Sequence, residues 1–167
     1  MAVQTENRLS RAGLWRFSIL IPDNRHTITD RNSAFVSEGI SFFSAELTDS
    51  SGKEQYAECI LKYYSDNQRN ADDFNDQYGL NWAADLNKEN YGRAEYIGTV
   101  HRMFGNSEGA VIVINFDEPQ GYQDSVVYYV LIPQQDKLYF FVFSVYDRHY
   151  INDVKQIIDS ISVPTDV

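Results

Sequence analysis

Few side chains in this sequence are equipped for proton chemistry. Three histidines, His26, His101 and His149, and one cysteine, Cys59, are the whole supply of imidazole and thiol. Gathered in one cleft, the histidines would act as general acid and base on an ester or a phosphodiester. Nothing in their spacing gathers them. His101-Arg102 falls inside a strand-like run, and His26 and His149 stand near a turn and a helix start. Surface and capping roles are the expectation for all three. Cys59 shares an alternating apolar face with Ala57, Leu61 and Tyr63, where a thiol behaves as a small hydrophobe. A lone cysteine makes no intrachain disulfide and leaves the redox compartment open.

Carboxylates cluster at Asp72, Asp73 and Asp76, and again at Asp117 and Glu118. The first set is the acidic opening turn of a helix, favoured by the helix dipole. The second lacks the alternating ligand spacing of a calcium loop. No Gly-x-Ser-x-Gly elbow, His-Glu-x-x-His pair or Gly-x-x-x-x-Gly-Lys loop is present. The expectation is therefore no catalytic residue, no metal and no cofactor, with a small histidine-dependent hydrolase or nuclease as the alternative.

Charge weighs against that alternative. Lys plus Arg number 14 and Asp plus Glu 24, a formal net charge of −10, and such a field repels phosphate backbones and anionic lipid headgroups. Nucleic acid is disfavoured as a partner; cationic and neutral partners are not. No apolar run approaches membrane-spanning length. Met1 to Ser10 is polar, without the apolar core of a signal peptide. A cytoplasmic location follows if the chain is complete, and a periplasmic or secreted one if a leader was removed.

The 167 residues, 43% hydrophobic and 14% aromatic, fit one domain with a sizeable core. Residues 1–13 form a polar, flexible lead-in to a domain over 14–163. Leu14 to Ile21 alternates loosely and ends at the turn Pro22-Asp23-Asn24. A polar stretch follows, with short strands around 27–29 and 34–36. Ile40 to Leu47 and Tyr56 to Tyr64, joined by Asp49-Ser50-Ser51-Gly52, make a hairpin. Asn70 then caps a helix whose stripe Phe74, Tyr78, Trp82 and Leu86 recurs every fourth residue, and which stops near 90–92. This aromatic stripe is expected to be core.

Beyond it the chain is strand-rich: 95–104, then 110–116, 125–132 and 138–146. The last three are nearly continuous apolar runs, the mark of strands buried on both faces. Short links make them antiparallel neighbours, with 117–124 a longer hairpin loop. Ile151, Val154, Ile158 and Ile161 put one apolar stripe on a final helix over 150–160. The fold class is α+β: an antiparallel sheet of about six to eight strands with two main helices, which cover opposite faces in preference to sharing one face while another layer covers the second.

Three stretches resemble the PsbP-like fold. Phe17-Ser18-Ile19-Leu20-Ile21-Pro22 is similar to that family's opening strand and proline, and Leu138-Tyr139-Phe140-Phe141-Val142-Phe143 to its last strand. Ile157-Ile158-Asp159-Ser160-Ile161-Ser162-Val163 is similar to its terminal helix and short apolar tail. Many members carry a tryptophan just after the opening proline, where this chain has Asn24-Arg25-His26. The family spans photosystem II extrinsic subunits, DcrB-type lipoproteins, a Ran-binding import factor and type VI secretion adaptor chaperones. The resemblance implies an accessory or binding protein and no reaction.

The N-terminal hairpin suggests where a partner sits. Opposite the Cys59 face the sequence places Ile40, Phe42, Tyr56, Ile60 and Tyr64, a face more apolar than solvent requires. Either the C-terminal helix covers it or it meets a partner. The functional expectation is a non-enzymatic binding protein, such as an adaptor chaperone or an immunity-type inhibitor. It holds a basic or apolar protein or peptide on that face. Oligomeric state is not legible in the sequence.

Overall fold

A computed structural model describes residues 2–8, 16–22, 26–30, 40–48, 55–64, 67–90, 93–117 and 125–163. Its side chains are described over 46–48, 55–62, 64, 67–88, 94–116 and 125–163. The strands are β1 (Ala2–Arg8), β2 (Arg16–Pro22), β3 (His26–Asp30), β4 (Ile40–Thr48), β5 (Gln55–Tyr64), β6 (Arg93–Phe104), β7 (Ser107–Asp117), β8 (Ser125–Gln134) and β9 (Lys137–Val145). Helix α1 (Asp76–Asn90) lies between β5 and β6, and α2 (Ile151–Asp159) follows β9. Strands β1 and β2 pair with each other, and the other seven form one antiparallel sheet in the order β3-β4-β5-β9-β8-β7-β6.

The α+β class with two helices on an antiparallel sheet is what the sequence patterns pointed to. So is the adjacency of β7, β8 and β9. Tight turns enforce it: Gly105-Asn106 joins β6 to β7, and Gln135-Asp136 joins β8 to β9. Gly105 and Gln135 take the positive φ these turns need, 68° and 55°.

One expectation is corrected. The polar lead-in is a strand over Ala2–Arg8, in register with β2 from Ala2 opposite Pro22 to Arg8 opposite Arg16. A partner strand satisfies the backbone whatever the side chains, so low hydrophobicity does not exclude strand here. The strand expected at 34–36 and most of the loop at 117–124 lie outside the described residues.

Two cores flank the sheet. On one face α2 lays Val154, Ile157, Ile158 and Ile161 over Cys59 and Leu61 of β5, Phe141 and Phe143 of β9, and Val130 and Ile132 of β8. On the other, Phe74 and Ala83 pack with Ala110, Ile112 and Ile114 of β7 and Val127, Tyr129 and Leu131 of β8, joined by half-buried Tyr78, Trp82 and Leu86. The helices therefore cover opposite faces. Strand β8 is buried from Val126 to Ile132 because it has a core on each side.

The α1 entrance differs in detail from the sequence expectation. Asn70 and Asp73 form a reciprocal capping box, but on a single 3-10 turn over Ala71–Asp73. Helix α1 is capped by Asn75, whose Oδ1 accepts from Tyr78 N at 3.0 Å. After α2 the chain returns to the β6–β7 turn. Val163 N donates to Phe104 O at 3.3 Å, and Val163 O accepts from Ser107 Oγ at 3.3 Å. Gln134 Nε2 donates to that same Ser107 oxygen at 2.7 Å.

Candidate functional site

The residue types that could carry chemistry stay apart. His101 is exposed on the edge strand β6, with Nε2 3.1 Å from Ala71 O, on the α1 side of the sheet. His149 is exposed in the 3-10 turn before α2, where Asp147 accepts from its backbone N–H and approaches its Nδ1 at 2.9 Å. Those contacts hold the Asp147 carboxyl below its usual range. His26 enters β3 opposite Leu47. Cys59 is fully buried, and desolvation pushes its thiol far up, with Glu58 adding to the shift. Among the described residues no three His, Cys, Asp or Glu side chains group as a metal site.

The hairpin face is the stronger candidate. Pairing of β5 with β9 sets Glu58 beside Ser144, Ile60 beside Val142, Lys62 beside Phe140 and Tyr64 beside Leu138. Phe140 and Val142 belong to the α1 core, so Ile60, Lys62 and Tyr64 share the face that α1 covers elsewhere. Helix α1 reaches this region through an aromatic chain. The Trp82 ring lies 4.4 Å from Tyr129 and 5.4 Å from Phe140, and Phe140 lies 6.3 Å from Tyr64. Burial pushes the Tyr64 hydroxyl up, and Tyr78 of α1 adds to it. Tyr64, Phe140, Trp82 and Tyr78 are all half-buried, and Arg69 sits over the Tyr78 ring at 5.1 Å. An aromatic ledge thus runs from α1 onto β5.

Of the five residues expected at the site, Ile60 and Tyr64 come together on this ledge, half-buried. Ile40 and Phe42 stand opposite Tyr64 and Lys62 in the β4–β5 register; their side chains lie outside the described residues. Tyr56 does not join them. The register shifts between Leu47 and Thr48, giving β5 an extra residue. Tyr56 is turned out of the alternation, 3% exposed, and stacks on Tyr150 at 4.1 Å and 11° in the α2 core. The C-terminal helix packs on the Cys59 side and leaves Ile60 and Tyr64 uncovered.

Charge frames one end. Glu46 and Glu58 are directly opposite across β4 and β5, and neither has an ion-pair or hydrogen-bond partner among the described residues. Like charges so placed disfavour each other. The hydroxyl of nearby Tyr146 is pushed up by burial and then by Glu58 and Glu46. Towards Tyr78, whose ring Arg69 covers, lies a polar depression of about 360 Å³ lined by Asn67, Arg69, Asn70 and Asp136. Its buried Asn67 is engaged with Arg69 O (2.6 Å), Arg69 N (3.2 Å) and Asp136 O (2.5 Å), a splice between β5 and the β8–β9 turn.

The α1 contribution to the ledge, Trp82 and Tyr78, was not legible as part of the hairpin site. The stripe does serve as core, as expected, but its far end overhangs β9. Only the long-range β5–β9 register reveals this.

With this architecture, comparison with solved structures is informative. The chain has the PsbP-like fold. It superposes on the solution structure of cyanobacterial PsbP, CyanoP, from Synechocystis sp. PCC 6803 with a TM-score of 0.64 at 14% identity, covering 98% of this chain and 94% of that one. The Saccharomyces cerevisiae Ran-binding protein Mog1p gives 0.54 at 9% identity, covering 99% and 97%. PA94 from Pseudomonas aeruginosa, a protein of unknown function described as a putative regulator, gives 0.51 at 15%, covering 98% and 99%. At such identities the likeness is one of fold. No protein-family model and no curated protein matches the chain.

Proposed function

We propose that this protein is a non-enzymatic binding or accessory protein that holds a protein or peptide on the ledge of Ile60, Tyr64 and Phe140. The rows of Ile40 and Phe42 extend that surface. The observation carrying the reading is an apolar, half-exposed ledge at the end of a helix-covered face, next to two carboxylates, Glu46 and Glu58, set directly opposite each other. Rigid aromatic area with a polar margin is what protein interfaces use. A partner with a basic and an apolar side suits it, in the manner of an adaptor chaperone or an immunity-type inhibitor. That Mog1p, which has this fold, is a Ran-binding protein supports the reading. Among the described side chains His101 and His149 stand apart, which weighs against the hydrolase alternative. No helix among the described residues is long and apolar enough to cross a membrane.

Affinity capture with purified chain and the single variants Ile60→Asp and Tyr64→Ser tests this. A protein retained by the parent chain should be lost from both variants while their melting temperatures stay within a few degrees of the parent. Unchanged capture by both folded variants would remove the ledge as the binding surface.

A further inference from the structure

Among the described residues four large apolar side chains are widely exposed: Leu80 (50%), Ile97 (57%), Val100 (59%) and Met103 (53%). Three of the four lie on β6, the outer strand of the sheet at the end remote from β4 and β5. An uncovered edge strand presents unpaired N–H and C=O groups and invites another strand, so folds usually blunt it. Here one end is blunted. The Asn87 side chain donates to Ala94 O at 2.9 Å and accepts from Ala94 N at 2.5 Å, taking the place of a neighbouring strand. A bulge then sets Ile97 between the paired residues Tyr96 and Gly98.

The backbone phase of the rest follows from two fixed points. The Asn87 contact shows that Ala94 turns its groups outward, so Tyr96, two residues on, does likewise. At the other end Phe104 and Ser107 close the two-residue turn, so Arg102, Val100 and Gly98 face β7. Thr99, His101 and Met103 therefore point their N–H and C=O groups away from the sheet.

Run antiparallel against itself with Thr99 opposite Thr99, this edge is self-complementary. The bulged residues Ile97 and Gly98 together meet Val100, Tyr96 meets His101 and Glu95 meets Arg102; the Thr99 pair and the Tyr96–His101 pairs turn outward groups to each other and exchange both hydrogen bonds. Symmetry makes every contact off the axis twice. Ala94 would come next, and there Asn87 ends the pairing. Other registers fail chemically. An axis on His101 sets Arg102 against Val100, and an axis on Val100 sets Arg102 against Gly98 and leaves Glu95 beyond the strand at Gly105. Glu95 is exposed and has no ion-pair or hydrogen-bond partner among the described residues. Arg102 already binds Asp159, so a second carboxylate flanks the same guanidinium.

We propose that β6 pairs with β6 of a second copy of this chain, antiparallel, about a two-fold axis through the pair of Thr99 residues. The two seven-stranded sheets then continue across the axis, and the ledge stays free at the opposite end of each.

Sedimentation velocity over a concentration series at about 0.15 M salt should show a monomer–dimer equilibrium. Replacing His101 by proline removes an outward N–H without touching the ladder to β7. His101→Pro should weaken dimerisation roughly tenfold or more at an unchanged melting temperature. Should that variant unfold, Glu95→Lys, at an exposed position, carries the same expectation. Because the sole cysteine is buried, introduced thiols report the register. Ile97→Cys/Val100→Cys should give a disulfide-linked dimer under mild oxidation, since directly opposed residues lie in disulfide range and residues three apart on one strand do not. Val100→Cys alone should remain monomeric on a non-reducing gel. A monomer at every concentration, dimerisation untouched by His101→Pro and Glu95→Lys, or cross-linking through Val100→Cys alone would each overturn the proposal.

Discussion

Gly79 shows how a single residue can oppose the propensity of its element. In a free helix Gly→Ala gains about 1 kcal/mol. Here a Cβ at position 79 would press into the ring of Tyr96, which is held by Asp76 at 2.5 Å and by Thr99 at 2.6 Å. Overpacking costs about 1–3 kcal/mol, enough to reverse the sign. Gly79→Ala should therefore lower stability in urea, and Tyr96→Ala should abolish that loss. Tyr129 gives a pH test. Burial pushes its hydroxyl up to about 12 from 10.0. A raised pKa means the folded chain keeps a proton that the unfolded chain gives up. This contribution is whole below pH 10 and lost as pH rises towards 12, worth up to roughly 2–3 kcal/mol. Urea midpoints from about pH 9 to about pH 11.5 should fall less steeply for Tyr129→Phe. At this scale the sequence identified Cys59 as core by its alternation, yet placed Tyr56 on the wrong face. One extra residue at the β5 entrance inverts the phase, and no local pattern announces a bulge that its partner strand creates.

Elements with one clean stripe were the most legible. Helix α2 buries Val154, Ile157 and Ile158, and Ile161 just beyond its end is also buried, so its docking rests on a few aliphatic side chains. Ile157→Ala should cost about 2–4 kcal/mol, read as a lowered midpoint in chemical denaturation. The same change at exposed Gln156 should be nearly silent. The start of α1 was less legible because two good caps stand five residues apart. Asn70 opens a 3-10 turn and Asn75 opens the helix, and either asparagine alone satisfies the sequence rule. Strand β1 was illegible for a different reason. Its side chains are polar, and what makes it a strand is β2 alongside.

For the whole molecule, net charge and topology set the terms. At −10 the folded chain repels itself, and salt screens that repulsion. The melting temperature should rise by a few degrees between about 20 mM and about 500 mM sodium chloride, measured by calorimetry. Apart from β1, the sequence showed which of the described segments are strands but not that β5 inserts beside β9, because pairing across such a separation leaves no local mark. That join has a consequence for synthesis. Cys59 pairs opposite Phe143, about 80 residues later. At about 5–20 residues per second, β5 waits on the ribosome for roughly 4–16 s with one edge unpaired. Until β9 emerges, the growing chain exposes a strand bearing Ile60, Leu61 and Tyr64. Any message truncated before the codon for Lys137 should therefore yield a polypeptide that aggregates or is degraded, however complete its N-terminal hairpin.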